Sequence, residues 1–327
     1  MYKRLSIIVL LVFLSIMGVY ADTPASQVNM RDLYNENPDN LWMLFLEDPD
    51  SETGAEILIT FGKLGKGNQN IIDNINNYLA QMNYQLISGE SVNYSTVSAC
   101  IAAIVELGDM SSYPVLLNLL CADYPEVIVF EAYGALDLID GNLKQFLSGI
   151  IEKNPPEEKF AAFKAGMYSQ RLSVYERGQL AELALELAIA TGEENADLTA
   201  MRYASIAVFS SLRWTRANTL AIRHYYRVQA DYLQGIVPKG RLIEAIECLG
   251  AVGNSDAALV LGLQLGLINA RAASTGVFDA DITLAIVRAL GRIGDNAAFD
   301  LLLDASNLSY GENITSAARE AINRLKW

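Results

Sequence analysis

Histidine is nearly missing from this chain. His224 is the only one among 327 residues, which removes His-based triads and multi-His metal sites from consideration. Cysteine is scarce as well. Cys100, Cys121 and Cys248 are odd in number and far apart, unlike the dense framework of a small disulfide-stapled domain. There is no C-x-x-C pair, no G-x-S-x-G turn and no glycine-rich phosphate loop after a strand pattern. Nothing therefore nominates a catalytic, cofactor-binding or metal-binding residue. Only 8 prolines stand against 52% hydrophobic residues, so general disorder is excluded and an extensive core is implied. Basic residues are outnumbered, 24 to 38, for a net charge of −14. A chain this acidic is a poor candidate for wrapping nucleic acid. Long alternating apolar–polar runs, the signature of strands, are absent.

The N-terminus has its own pattern. Lys3 and Arg4 precede an uncharged run from Leu5 to Tyr20, and Val19-Tyr20-Ala21 offers permissive residues to a signal peptidase. Residues 1–21 read as a secretory signal peptide cut between Ala21 and Asp22, which places the mature protein in the periplasm or outside the cell. The competing reading is an uncleaved anchor, although the run is shorter than the roughly 20 residues that span a bilayer. No later stretch reads as a membrane span. Losing Lys3 and Arg4 takes the net charge from −14 to −16. Residues 22–38 are polar and aperiodic and read as a linker, leaving 39–327 as a single domain.

Within that domain a phrase returns. Ala289-Leu290-Gly291-Arg292-Ile293-Gly294-Asp295 repeats Cys248-Leu249-Gly250-Ala251-Val252-Gly253-Asn254, with looser copies at Ile104–Asp109 and Phe61–Asn68. Each copy closes one apolar helix pattern and opens another. The 3.6-residue period lets seven hairpins be drawn at 53–86, 96–122, 126–153, 157–191, 198–235, 241–271 and 280–306. A short apolar helix from Leu41 to Leu46 precedes them, and Thr53 with Glu56 has capping-box spacing for the next start. Asn313–Trp327 forms a last amphipathic helix, with Ile314, Ala318, Ala321, Ile322 and Leu325 inward, that caps the stack. The expected fold is all-α, a right-handed α-solenoid. Its turn glycines are expected to take a left-handed conformation, with Asp295 and Asn254 capping the helices that follow. Cys100 and Cys248 occupy apolar helix positions and are expected to be buried thiols; a Cys100–Cys121 bond within one hairpin stays open.

The phrase Ala-Leu-Gly-x-Ile-Gly-Asp-x-x-Ala and the Leu-rich helix after it, at 289–303 and 248–263, resemble the HEAT repeat. The likeness is closest to the short bacterial form first described in phycobilin lyases. It extends in part to residues 97–151 and fades over 157–235, which lacks the Gly-Asp turn. The resemblance implies a binding scaffold and carries no catalytic residue to this sequence.

One segment breaks the acidic background. Residues 198–241 contain Arg202, Arg213, Arg216, Arg223, Arg227, Lys239 and Arg241 against a single acid, Asp231. Arg216, Arg223 and Arg227, spaced by seven and four, are expected on one helix face. With Arg213, Trp214 and Tyr226 they make a candidate partner-binding patch for carboxylates or phosphates and for rings. The alternative is structural: these arginines pair with Glu182, Glu186, Glu193, Glu244 and Glu247 of adjacent repeats while the aromatics fill the core. The favoured function is an exported, noncatalytic scaffold for a protein partner, including one with anionic groups. An enzyme or enzyme subunit acting on cell-envelope polymer and a structural part of an envelope assembly remain alternatives.

Overall fold

The computed structural model describes residues 38–190 and 195–326. The expected leader, its Ala21–Asp22 cleavage point and residues 22–37 lie outside the described residues. Among the described residues the chain is all-α, with sixteen α-helices, three short 3-10 turns and no strand. The helices are α1 Pro38–Glu47, α2 Glu52–Leu64, α3 Gln69–Ile87, α4 Tyr94–Leu107, α5 Tyr113–Cys121, α6 Glu126–Leu138, α7 Leu143–Lys153 and α8 Pro156–Tyr168. They continue as α9 Val174–Ala190, α10 Ala196–Leu212, α11 Asn218–Leu233, α12 Lys239–Val252, α13 Ser255–Thr275, α14 Ala280–Ile293, α15 Phe299–Asn307 and α16 Glu312–Ile322. Two helices fall within each span drawn from the sequence. Pro38, read as linker, already begins α1.

The chain divides into two compact units. One runs to Leu79 and adds Val92–Asp109; the other comprises Ala80–Ser91 and Met110–Trp327, so the division passes through α3. In the first unit α1 packs on α2 and α2 on α4. Leu41 and Phe45 of α1 are fully buried, and Trp42 stacks on Phe61 at 5.2 Å while Phe45 meets Tyr78 edge-on at 5.0 Å. The start of α2 differs from the expected one. Ser51, rather than Thr53, caps it, its side chain accepting from the Gly54 N–H at 2.9 Å. The Ser51 hydroxyl also donates to the Asp48 carbonyl at 2.8 Å, so the turn after Pro49 selects the earlier residue.

The second unit is a two-layer helical repeat. Helices α8, α10, α12, α14 and α16 lie side by side in one layer, and α7, α9, α11, α13 and α15 line up in the other. Each helix has its layer neighbours and its cross-layer partners, the arrangement that lets a repeat bury an apolar face only against adjacent repeats. The spacing within a layer is set by glycine. A Cβ added to Gly250 of α12 would lie 2.8 Å from Ala289 Cα on α14, and one on Gly291 would lie 2.9 Å from Ala321 Cα on α16. The first unit repeats the device between Gly62 of α2 and Ala103 of α4, at 2.9 Å. The glycine lies three residues before its turn, and it meets an alanine that in two of the three cases lies five residues before the next.

The turns correct the single reason given for their glycines. Gly294 is left-handed, with φ 72°, as expected. Gly253 is extended, with φ −72° and ψ 156°, and is required for space instead: an added Cβ would collide with the Leu249 carbonyl and lie 2.6 Å from the Ala257 Cβ. Asn254 caps α13 through the Asp256 N–H at 2.9 Å. Asp295 accepts from the Ala297 N–H at 2.9 Å and so caps the 3-10 turn before α15. Successive turns are also joined. Ser255 donates to Asp295, the Asn254 N–H reaches Asn218 Oδ1 at 3.3 Å, and the Lys326 N–H reaches the Gly294 carbonyl at 2.9 Å. This last bond shortens the expected C-terminal helix. It stops at Ile322, and the chain folds back so that Leu325 is buried beyond the helix. All three cysteines are free; Cys100 and Cys248 are buried and Cys121 is exposed, so the disulfide left open by the sequence is not formed.

Candidate functional site

The structure separates the residues of the basic segment into two clusters. Arg213 ends α10 in the left-handed region, φ 50°, and its side chain is exposed. Trp214 lies on the backbone of Gly178 in α9, where an added Cβ would come within 2.7 Å of the indole ring. Its ring meets Tyr175 edge-on at 5.4 Å. Arg216 sits in the 3-10 turn Thr215–Ala217 before α11, so helical spacing relates only Arg223 and Arg227. The Arg216 guanidinium lies over Tyr175 at 5.6 Å and Trp214 at 5.7 Å. It donates to the Tyr175 hydroxyl at 2.6 Å and stands 3.5 Å from Glu182. Arg216 thus links the turn before α11 to α9 and, with its side chain 54% exposed, still faces solvent. Glu193 lies outside the described residues.

The second cluster gathers on α10, α11 and α12. Arg223 and Tyr226 are exposed on α11, while Arg227 is half-buried. On the same helix His224 is 1% exposed and meets Tyr203 edge-on at 5.5 Å, and neither Arg223 nor Tyr226 is brought to it. The Tyr203 ring also carries two guanidinium groups, Arg202 at 5.0 Å and Arg241 at 4.2 Å. Arg202 is buried, and Asp231 stands 3.9 Å away. Burial, then the charges of Arg202, Arg227 and Arg241, push the His224 pKa down to about 3, so the imidazole is neutral at physiological pH. The cluster includes Arg202, Tyr203 and Arg241, which were outside the proposed patch, because neither helix spacing nor composition brings α10 and α12 onto α11.

A second feature escaped the sequence altogether. On α13, Leu259, Leu263 and Leu267 are 55%, 70% and 69% exposed, at positions i, i+4 and i+8 and so in one stripe. Leu261 and Leu265, between them in sequence, are fully buried. The helix is apolar on both faces, which hides the stripe from a periodicity argument. With 21 residues and a mean hydropathy of 1.3, α13 is by length and composition alone long and apolar enough to cross a membrane. Its inner face is nonetheless packed. Gly262 and Gly266 admit Leu301 of α15, and Asn269 is held by the Leu301 carbonyl at 3.0 Å and the Tyr310 hydroxyl at 2.9 Å.

The stripe belongs to a wider asymmetry. Exposed large apolar side chains occur on α9 (Val174, Tyr175), α11 (Tyr226, Leu233), α13 and α15 (Leu303). None of the side chains in that exposed apolar set comes from α10, α12, α14 or α16. In that second layer the exception is Tyr168 at the end of α8, and α7 of the first layer carries no such side chain, so the exposed apolar groups are concentrated on α9, α11, α13 and α15. The three leucines of α13 form the continuous part of this set, and an exposed apolar stripe of this kind marks an interaction face. Two hollows near the C-terminal end, of about 220 and 290 Å³, are smaller than the roughly 300–1,000 Å³ usual for small-molecule sites. Among the described residues no group of three or more His, Cys, Asp or Glu side chains is arranged to hold a metal.

Residues 284–307 match the family model of the PBS lyase HEAT-like repeat. The match takes in the latter part of α14, the Gly294 turn and all of α15. No curated protein matches the chain.

Proposed function

We propose that this HEAT-like repeat chain is an exported, noncatalytic scaffold, and that it holds a protein partner on the outer face of the layer formed by α9, α11, α13 and α15. The leucine stripe of α13 carries the reading. Three leucines more than half exposed on one helix face are a standing cost in water, and a partner's apolar side chains remove it at about 25 cal/mol per Å² buried. The exposed basic residues Arg213 and Arg223 are available for charge contacts that steer an acidic partner and weaken with salt.

Capture from a native envelope fraction tests the face. The wild-type chain is expected to retain a defined protein that Leu263→Asp/Leu267→Asp loses. The double variant should keep its denaturation midpoint, since exposed substitutions shift stability by only about 0.5 kcal/mol. Equal capture by both proteins would remove the stripe from the interface. Export is tested separately by N-terminal sequencing of the native protein. The expected first residue is Asp22; a native chain that begins at Met1 and stays with the membrane would overturn export.

A further inference from the structure

The cluster around His224 holds more cationic donors than its neighbours satisfy. Arg202 is 5% exposed, yet its Nε and Nη1 have no hydrogen-bond partner, and neither do Nδ1 and Nε2 of His224. Only Nη2 of Arg202 is engaged, weakly, with the Tyr203 hydroxyl at 3.5 Å and Asp231 at 3.9 Å. Arg227 stands close enough to lower the pKa of both Arg202 and His224. Arg241 faces the same ring of Tyr203 from α12 and is paired on its outer side with Glu244 at 2.7 Å. Two guanidinium groups thus pack on the Tyr203 ring that meets the neutral imidazole, with the Arg227 charge adding to theirs, against Asp231 and Glu244. A buried guanidinium with open N–H groups is strongly unfavourable unless an anion accepts from it.

We infer that Arg202, Arg227, Arg241 and His224 form a binding site for a phosphate-type oxyanion, with the buried Arg202 guanidinium as its floor. The donor set favours a phosphoryl group over a carboxylate. The open nitrogens of Arg202, one ring N–H of His224 and the Arg241 guanidinium come from three different helices; a phosphoryl group meets them with three strong acceptor oxygens and up to two charges, a carboxylate with two coplanar oxygens and one charge. Arg241 and Asp231 keep side-chain exposures of 43% and 21%, so the cluster borders solvent, while the open nitrogens of Arg202 and His224 are buried and an oxyanion reaches them as Arg241 moves aside. The site lies apart from the leucine stripe, so its failure leaves the proposed protein-binding face untouched.

The chain's single histidine makes the test direct, because its imidazole signals in an NMR spectrum need no assignment. Titration with inorganic phosphate at constant ionic strength is expected to shift those signals saturably, while chloride over the same range does not. Arg202→Gln and Arg241→Gln should each weaken the apparent affinity at least tenfold. Arg241→Gln carries the test alone if Arg202→Gln fails to fold. A parallel titration with phenyl phosphate separates the sources: saturation by both probes assigns a phosphoryl group borne by a larger molecule, and saturation by phosphate alone assigns the free ion. A His224 signal that saturates with neither probe, or that saturates unchanged in Arg241→Gln, overturns the site.

Discussion

Gly250→Val is expected to be the most damaging single substitution in the repeat. Its added carbons would enter a gap already closed by backbone, 2.8 Å from Ala289 Cα and 2.9 Å from Ala289 Cβ. No side chain can rotate away, so α12 and α14 must separate and the buried contacts beside them loosen. Overpacking of a core costs about 1–3 kcal/mol, and more where backbone must move; roughly 3–5 kcal/mol is expected here. The gain in helix propensity on replacing glycine, below about 1 kcal/mol, does not offset it. Gly294→Val should fall lower, at about 1–3 kcal/mol, because it combines a strained φ of 72° with a Cβ 3.0 Å from the Arg324 carbonyl. Gly134 of α6 is the control. Nothing lies within 4 Å of a Cβ added there, so Gly134→Ala should be neutral or stabilise by up to about 1 kcal/mol. Denaturant midpoints rank the three variants, and a Gly250→Val midpoint equal to that of wild type would show that the layers are not held by this contact.

Acid is expected to destabilise the second unit through His224. The folded state holds this imidazole neutral, with its pKa lowered from 6.5 to about 3, by burial first and by Arg202, Arg227 and Arg241 next. The unfolded chain takes up a proton as pH falls below about 6.5, and the folded chain does not until about pH 3. Between those values the unfolded state binds more protons, so stability falls as pH falls, by up to about 1.4 kcal/mol per pH unit from this one group. Near pH 3.5 the loss approaches roughly 4 kcal/mol. Above 6.5 the group contributes no slope. Carboxylates with lowered pKa values, such as Asp295 beside Ser255, add acid sensitivity of their own. The diagnostic quantity is therefore the difference between wild type and His224→Leu. The variant should show a shallower stability profile between pH 6.5 and 3.5, and parallel profiles would place His224 in contact with solvent.

Much of the architecture was legible because it is local. Helix periods, Asn254 and Asp295 as caps, and the recurring Gly-x-x-Gly each depend on residues a few positions apart, and the paired helices fall where those signals place them. What the sequence obscured depends on contact between elements. Gly250 and Gly291 look like ordinary members of the phrase until Ala289 and Ala321 are seen against them. The buried position of Arg202 has no local signature, since its charge suggests surface and only α10, α11 and α12 together enclose it. The stripe of Leu259, Leu263 and Leu267 was masked by the equally apolar buried face of the same helix. Arg216 was placed on α11 by spacing, whereas the chain reaches it through a 3-10 turn whose tighter winding breaks that register.

The glycine-to-alanine seam also bears on how such an array changes length. Gly250 seats against Ala289, and Gly291, its counterpart one period later, seats against Ala321. The two joints use the same pair of residue types at nearly the same separation. A duplicated copy of residues 251–291 placed after Gly291 would offer a familiar alanine to the glycine before it and a familiar glycine to the alanine after it. Growth or loss by whole periods therefore asks for no new contact chemistry at the seam.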